Sequence, residues 1–408
     1  MNNENRNKYR WTRIGSYLSL SLQAYCACCL PILFVSLMEM YDLHYVDLGI
    51  MIFLLYTIQI VVDVIIPHFV DKFGFKPFAL GAPIVLIFGC ALFTLSPVIF
   101  PNNVRILFYI GISIISSAAG LIEILVSPII EQISFDNKAK SMSILHGFYG
   151  VGVIFVTLVT SLLVIFLGEK YWQIIMSVFL VIPVVVFFIF LNAPFPSHEE
   201  NKEKKNKYNY LKDKMFYVFL FAICLGAGME VTMNQWASTF FENALGLDKA
   251  IGDVLALGMF AVTFTIGRFL FGFLGHKVNL GHVLIAGASF TSLCYLALFF
   301  SSNDILSIIA CALSGIGVSM MWPGTLSQGS KYYKNPSTIY FGLMSACGDI
   351  GAAVIPLLVG VIVDNMSSDV IGLKYGMLFG CAISMTAIIL EIIICVNVDK
   401  KVKIDSLK

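Results

Sequence analysis

Twelve long apolar segments constrain this chain more than any other feature of its sequence. Each is about 20 residues or longer, the length that an α-helix needs to cross the hydrocarbon core of a bilayer. Charged residues make up only 12% of the chain, against about 25% in a typical soluble domain. We therefore predict an all-α membrane protein with twelve transmembrane helices, called spans 1 to 12 here. The spans cover residues 14–38, 46–67, 78–98, 105–130, 140–167, 172–193, 214–241, 250–273, 280–300, 304–327, 337–363 and 372–396.

One long polar segment separates the first six spans from the last six. We interpret residues 194–213 as a cytoplasmic linker between an N-terminal six-helix bundle, residues 14–193, and a C-terminal six-helix bundle, residues 214–396. Residues 1–13 and 397–408 are then cytoplasmic tails. A weak internal repeat supports the two bundles, because AGLIEILVSP in span 4 resembles SGIGVSMMWP in span 10.

The lysines and arginines are distributed as this topology requires. With both termini in the cytoplasm, 22 of the 26 Lys and Arg residues fall in cytoplasmic segments. The opposite side holds only Arg105, Lys170, Lys249 and Lys374. Cytoplasmic loops of membrane proteins carry such an excess of positive charge. The distribution predicts a multi-pass protein of the plasma membrane (or cell inner membrane) with both termini cytoplasmic.

The sequence does not favour several other classes of protein. No basic run with interleaved aromatic residues indicates nucleic-acid binding, and no GxxxxGK[ST] loop indicates that ATP drives the protein. No paired nucleophile and base indicates an enzyme, and the central polar segment is too short for the output domain of a sensor. The CACC sequence at Cys26–Cys29 has no histidine or second cysteine pair nearby, so we interpret it as packing rather than as a metal site. We predict no cofactor and no metal.

Two acids lie near the middle of apolar segments, Glu123 in span 4 and Glu230 in span 7. A charged side chain at the bilayer centre costs at least ~2.5–3.5 kcal/mol, so such residues usually face a cavity and mark an ion or substrate path. A cavity of low dielectric constant disfavours a charged carboxyl, so either acid could bind a proton on one side and release it on the other. No lysine or arginine is expected at mid-depth, and we predict that at least one acid is protonated at rest. The alternative is a structural carboxyl bonded to a neighbouring helix.

Other polar and aromatic side chains concentrate in spans 1, 4, 7 and 10. Glu230 and Asn234 are four residues apart and share one helix face. Trp236 could belong instead to the interfacial belt of the membrane, and Trp322 could simply pack beside Pro323. We predict that the following residues contact the substrate: Gln23, Tyr25, Glu123, Tyr149, Glu230, Asn234, Trp236 and Trp322.

Other ionisable residues of the spans are candidates for proton coupling or for the conformational switch. His146 in span 5 and Asp349 in span 11 are candidates for proton coupling, although a buried neutral histidine bonded to a backbone carbonyl is an alternative for His146. Asp63 and Arg268 lie near the predicted cytoplasmic ends of spans 2 and 8, which is typical of conformational-switch residues rather than substrate ligands. Glu391 lies near the predicted cytoplasmic end of span 12, where its side chain is expected to reach water.

The loop after span 2 has the sequence DKFGFK, with Asp71, Lys72, Gly74 and Lys76. These residues resemble the cytoplasmic signature of the major facilitator superfamily, in which a base usually stands at the position of Phe75. A second copy after span 8 has His276 in place of the acid and retains Gly267, Arg268, Gly272 and Lys277. The resemblance covers roughly residues 14–396. It implies that spans 1, 4, 7 and 10 line a central cavity and that the signature residues act in the conformational switch.

Within that superfamily the chain is most similar to the fucose-permease-like sugar:proton symporters. That branch has an acid in helix 1 ahead of a proline, whereas the stretch before Pro31 is CACC and holds none. The substrate is therefore left as a sugar or a similar small polar solute. The similarity is carried by Gly120, Glu123, Ser127 and Pro128 in span 4 and by Gly226, Glu230 and Trp236 in span 7.

The resemblance implies a secondary active transporter that imports such a solute with protons by alternating access. We expect it to act as a monomer in the bilayer. A drug:proton antiporter of the same fold is the alternative, permitted by an aromatic content of 13%. A membrane-embedded enzyme or a non-transporting sensor is the third hypothesis, for which the sequence offers no site.

Overall fold

The computed structural model describes residues 7–134, 137–196, 209–245, 258–275, 278–334 and 336–406. Within these ranges the chain forms fourteen α-helices, short 3₁₀ turns and no strand, which confirms the prediction of an all-α protein. Most of the predicted linker lies outside the described residues, as do Lys249, His276 and Lys277. The helices are α1 (Arg10–Tyr41), α2 (Tyr45–Phe73), α3 (Phe75–Ile99), α4 (Val104–Ile133), α5 (Lys138–Leu167), α6 (Trp172–Val178), α7 (Val181–Asn192), α8 (Lys214–Leu245), α9 (Met259–Leu274), α10 (Leu280–Phe300), α11 (Asp304–Val318), α12 (Met321–Tyr333), α13 (Thr338–Asp364) and α14 (Asp369–Ser406).

Ten helical stretches of the described chain are long and apolar enough to cross a membrane. Two of them combine neighbouring helices: Glu169–Asn192 contains α6 and α7, and Asp304–Tyr333 contains α11 and α12. Met259–Phe273, in α9, is a shorter apolar helix. Every predicted span overlaps a helix of the structure, while the count of twelve crossings stays a prediction.

Two predicted spans are interrupted four residues before a proline. Span 6 breaks between α6 and α7, ahead of Pro183, and span 10 breaks at Ser319 and Met320, ahead of Pro323. Proline has no N–H for the helical hydrogen bond, and its ring clashes with the carbonyl of the residue four positions earlier. In span 10 that residue is Ser319, so its carbonyl is available to another donor.

The start of α2 is held by hydrogen bonds around Asp47, which precedes the membrane-spanning stretch Ile50–Phe73. The Tyr109 hydroxyl donates to Asp47 Oδ1 at 2.5 Å, the His44 N–H donates to Oδ2 at 2.7 Å, and Arg105 Nε lies 3.7 Å from Oδ2. Burial acts to raise the pKa of the Asp47 carboxyl, but these donors outweigh it and the pKa is lowered from its usual value. The start of α2 is thereby tied to α4.

Close contacts divide the chain into two compact units. The predicted boundaries of the two bundles stay a prediction, because the units are defined by packing and each includes a short piece from the other half of the sequence. The first unit contains Met1–Ile133, Phe148–Lys205 and Ser337–Gly342, and the second contains Ser134–Gly147, Asn206–Pro336 and Leu343–Lys408.

The first unit has an aromatic core formed by α1, α3, α4 and α6. The Phe93 and Phe108 rings stack with centroids 4.4 Å apart, and Trp172 meets both edge-on. The indole N–H of Trp172 donates to the Tyr41 hydroxyl at 3.2 Å. Such pairs favour defined ring geometry in addition to the apolar area that they bury.

A close approach of α4 to α2 lies further along α4, at Gly120. At Gly120, a Cβ atom would be 2.9 Å from Val62 Cγ1 and 3.3 Å from the Gln59 carbonyl, so only glycine fits without a shift of α2. Small residues permit such contacts between membrane helices. The contact brings polar side chains of α2 beside the next turn of α4, which carries Glu123.

In the second unit, α14 packs against α8, α10 and α12. The Tyr295 hydroxyl of α10 donates to the Met229 carbonyl of α8 at 2.8 Å. At Gly351 in α13, a Cβ atom would lie 1.9 Å from the Cys224 carbonyl, so α13 and α8 meet backbone to backbone. These contacts position the side chains of α8 that include Glu230.

Candidate functional site

Glu123 is the centre of a buried polar cluster in the first unit. Its side chain is 5% exposed and points towards α1 and α2. The amide nitrogen of Gln59 donates to Glu123 Oε2 at 2.7 Å, and the amide nitrogen of Gln23 donates to the same oxygen. The structure thus brings together the predicted residues Gln23 and Glu123, and it adds Gln59.

Asp63 belongs to the same cluster. It is fully buried, and one of its carboxylate oxygens lies within 4.8 Å of a carboxylate oxygen of Glu123. Sequence reasoning placed Asp63 at a switch near the end of span 2 and did not connect it with Glu123. The available signal was the spacing of Gln59 and Asp63, which are four residues apart on one face of α2.

Glu230 is paired with a base in the second unit. Arg268 Nη2 lies 3.5 Å from Glu230 Oε2, and Arg268 is only 2% exposed. The expectation that no deep base neutralises either acid is therefore wrong for Glu230. The position of Arg268 along its span does not give the depth of its guanidinium. Helical side chains lean towards the N-terminus of their helix, and an arginine side chain reaches several ångströms. The guanidinium of Arg268 is thereby directed away from the end of α9.

Two backbone carbonyls and an aromatic ring also contact the guanidinium of Arg268. Nη1 donates to the His146 carbonyl at 2.9 Å, and Nε donates to the Ser319 carbonyl at 3.0 Å. The Phe264 ring centroid lies 3.8 Å from the guanidinium carbon, within cation–π range. Arg268 therefore bonds to a carbonyl at the break between α11 and α12, as well as to an acid.

The other predicted proton-coupling residues are buried. The His146 side chain is 5% exposed, and its backbone carbonyl accepts the bond from Arg268. Asp349 is 6% exposed, on α13 of the second unit. Their roles in proton coupling stay predictions.

The predicted substrate residues of α8 and α12 differ in exposure. Asn234 is exposed and Trp236 is half-buried, with its indole N–H donating to the Pro356 carbonyl at 3.0 Å. Trp322 is half-buried, and its ring lies over Gly348, where a Cβ atom would be 2.3 Å away. Both tryptophan rings therefore pack on α13.

Tyr25 and Tyr149 are the remaining predicted substrate residues. The Tyr25 hydroxyl donates to the Met176 carbonyl at 3.1 Å, and its ring packs on Phe179 in the core of the first unit. Tyr149 is half-buried on α5. These surroundings favour a packing role for Tyr25.

The predicted switch residues have well-defined surroundings. Gly74 has φ = 83°, a conformation that favours glycine, and it separates α2 from α3. Asp71 Oδ1 accepts a hydrogen bond from the Thr338 N–H at 3.3 Å, while Lys72 and Lys76 are exposed. In α9, a Cβ atom at Gly267 would lie 2.4 Å from Ser319 Oγ, and one at Gly272 would lie 2.7 Å from Ile144 Cγ1.

Glu391 does not reach water, contrary to the sequence-based expectation. Its side chain is 0% exposed, and the Thr325 hydroxyl lies 3.1 Å from Oε1. The expectation was wrong because α14 continues to Ser406. Fifteen residues at about 1.5 Å each place Glu391 roughly 22 Å before the end of the helix, beyond the reach of a glutamate side chain.

Comparison with known proteins agrees with this architecture. A sequence model of the Major Facilitator Superfamily matches residues 16–356. The glucose/mannose transporter GlcP of Bacillus subtilis (strain 168) is 23% identical over 373 residues, which cover 87% of this chain and 88% of GlcP. A probable hexose phosphate transport protein of Chlamydia pneumoniae is 23% identical over 167 residues, 41% of this chain and 36% of that protein.

Solved structures share the fold at low sequence identity. The fucose:proton symporter FucP of E. coli superposes with a TM-score of 0.77 at 16% identity, covering 93% of this chain and 98% of FucP. The proton:xylose symporter XylE superposes with a TM-score of 0.79 at 12% identity, covering 94% of this chain and 95% of XylE. With a family match over most of its length, the chain belongs to the Major Facilitator Superfamily and is a membrane transporter rather than an enzyme.

Proposed function

We propose that this protein is a secondary active transporter that imports a sugar, or a similar small polar solute, together with protons by alternating access. The observation that carries the proposal is the cluster of Glu123, Asp63, Gln59 and Gln23, which holds two buried carboxyl groups within 4.8 Å. Similarity to a glucose/mannose transporter and to two sugar:proton symporters supports a sugar as the substrate.

The cluster supports proton binding in the first unit. Two carboxylates that share a buried site repel each other, so one proton held between Glu123 and Asp63 relieves the repulsion. The Gln23 and Gln59 amides donate to the Glu123 carboxyl without contributing a charge. We therefore assign the coupling proton to the pair of Glu123 and Asp63.

The second unit supports solute binding through hydrogen bonds from polar side chains of α8. Glu230 is partly accessible, with a side-chain exposure of 17%, and Asn234 is exposed one helical turn further along α8. Carboxylate and amide groups at this spacing can bond to adjacent hydroxyl groups of a sugar. We propose Glu230, Asn234 and Trp322 as the solute-contacting residues of this unit.

A neutral sugar fits this site better than a sugar phosphate. Arg268 is the buried cation of the second unit nearest to Glu230, and its charge is already matched by that acid. Two of its other N–H groups are directed at the His146 and Ser319 carbonyls. A phosphate would have to displace these partners, which is costly for a buried ion pair.

Transport in proteoliposomes tests the proposal. We predict that an inward proton gradient drives accumulation of glucose, mannose, fucose or xylose by the wild-type protein. Glu123→Gln should abolish accumulation and its pH dependence, because the amide cannot carry a proton, while exchange of the same sugar across the membrane without a gradient continues.

Glu39→Gln is the matched control, since Glu39 is an exposed acid of α1. It should accumulate sugar as the wild type does. Full gradient-driven accumulation by Glu123→Gln would show that this acid does not couple protons to transport. Absence of uptake of any of the four sugars by the wild type, with export of amphipathic drugs, would favour the antiporter.

A further inference from the structure

Glu391 is a fully buried acid that the transport site does not use. It lies on α14, which packs against α8, α10 and α12 of the second unit. Its Oε1 is 3.1 Å from the Thr325 hydroxyl of α12, and its Oε2 has no hydrogen-bond partner among the described residues. Burial of an unpaired charge in such surroundings is strongly unfavourable.

The hydrogen bonds around Thr325 indicate which group donates in the contact between Thr325 and Glu391. A threonine hydroxyl has one hydrogen to donate. The Met321 carbonyl lies 2.5 Å from the Thr325 hydroxyl and is its nearer acceptor, one turn back along α12. If the same hydrogen were shared with Glu391 at 3.1 Å, the second bond would be weak, whereas a protonated carboxyl can donate its own hydrogen to the Thr325 oxygen.

No charged group among the described residues pairs with Glu391. On α10, Gly281 faces this part of α14, where a Cβ atom would lie 2.5 Å from Cys395 Sγ. On α8, the sequence between Lys214 and Glu230 contains no charged residue. The titratable groups of these helices closest along the chain to the contact are Tyr217 and Cys224 on α8, His282 on α10, Lys331, Tyr332 and Tyr333 on α12, and Cys381, Cys395 and Asp399 on α14.

A polar row leads from Glu391 towards the end of α14. Cys395 and Asp399 follow at intervals of four residues and so share its helix face. Cys395 Sγ lies 4.0 Å from Asp399 Oδ2, and the Asn279 amide donates to that same oxygen at 3.5 Å. Asp399 is partly exposed, so the row connects the buried carboxyl with the surface.

We propose that Glu391 is a proton-binding site of the second unit, separate from Glu123 and Glu230, which exchanges its proton along the row of Cys395 and Asp399. The bound proton lets the carboxyl donate to Thr325 and so joins α12 to α14. Its loss places a charge between these helices. Protonation of Glu391 and the packing of α12, which carries Trp322, are therefore linked.

Infrared spectroscopy of the purified full-length protein, without substrate or gradient, tests the proposal. The wild type should show carbonyl absorption from a protonated carboxyl at neutral pH, and Glu391→Gln should lose that contribution. Thr325→Val should retain it at a shifted frequency, because the carboxyl loses its acceptor. Glu39→Gln, at an exposed acid, should leave the absorption unchanged.

Thermal unfolding at several pH values gives a second readout. Above about pH 5, where an exposed glutamate is ionised, the midpoint of the wild type should fall more steeply than that of Glu391→Gln, because the folded wild type keeps a proton on Glu391 that the unfolded chain releases. Parallel curves, or an absorption that is unchanged in Glu391→Gln and unshifted in Thr325→Val, would overturn the proposal. Neither measurement uses transport, so a failure of the proposed sugar:proton function would leave these outcomes unaffected.

Discussion

Glu123 and Glu230, the two acids near the middle of their spans, have different kinds of partner. Glu123 receives hydrogen bonds from the neutral amides of Gln23 and Gln59 and has another carboxyl nearby, whereas Glu230 faces the guanidinium of Arg268. Neutral donors leave the charge of a carboxyl uncompensated, while an ion pair largely cancels it. This difference is the reason why we propose Glu123, rather than Glu230, for proton coupling.

Sequence patterns identified the two acids near the middle of apolar segments, but not the partners of these acids and not the burial of Glu391. The energetic cost of a charge in an apolar segment is local and identified Glu123 and Glu230. The contacts of Gln59 with Glu123 and of Arg268 with Glu230 join residues 64 and 38 positions apart. Such pairs depend on how helices are rotated against each other, which span boundaries do not define.

Removal of the Arg268 charge is predicted to destabilise the protein strongly. Arg268→Gln leaves Glu230 without its ion pair and weakens the bonds to the His146 and Ser319 carbonyls, so we expect a loss of about 3 kcal/mol in the free energy of unfolding. Unfolding in increasing denaturing detergent measures this loss. The same change at the more exposed Arg105 should cost about 1 kcal/mol or less, and equal losses in both variants would contradict the structural role of Arg268.

At the scale of helices, the apolar segments of the sequence predicted where helices lie, but not where a helix is interrupted. Each predicted span overlaps a helix because length and hydropathy are properties of the segment itself. Span 4 and span 10 both contain a proline at matching positions of the repeat, yet α4 is continuous through Pro128 and span 10 breaks before Pro323. A freed carbonyl is tolerated where a new donor reaches it, and at Ser319 this donor is Arg268.

The break in span 10 is predicted to matter for transport more than for stability. In Pro323→Ala the N–H of residue 323 can bond to the Ser319 carbonyl, so the helix gains a bond and Arg268 loses an acceptor. We expect an unfolding midpoint at or above that of the wild type. We also expect sugar exchange to be about tenfold slower, because the two helices on either side of the break can no longer move separately.

Pro97→Ala is the control for this experiment, since Pro97 lies inside the unbroken helix α3. Its exchange rate should stay near that of the wild type. Wild-type exchange by Pro323→Ala would indicate that the break is only a packing feature.

At the scale of the whole molecule, the distribution of charge carries information that the helices alone do not. Ten membrane-length stretches fit either orientation in the bilayer, because their hydropathy has no direction. The excess of Lys and Arg on one set of loops does have a direction, and it orients membrane proteins during insertion. The predicted orientation therefore depends on the charges of the loops and not on the helices.

Reporter fusions test this orientation for the complete chain. We predict that green fluorescent protein fused after Lys408 is fluorescent and that alkaline phosphatase at the same position is inactive, because both termini are expected in the cytoplasm. Fusions after Lys170, in the turn between α5 and α6, should show the reverse pattern. Active phosphatase at both positions would place Lys170 and Lys408 on the same side of the membrane, which requires an even number of crossings between them instead of the predicted seven. The predicted twelve spans would then have to be redrawn, although ten membrane-length stretches remain.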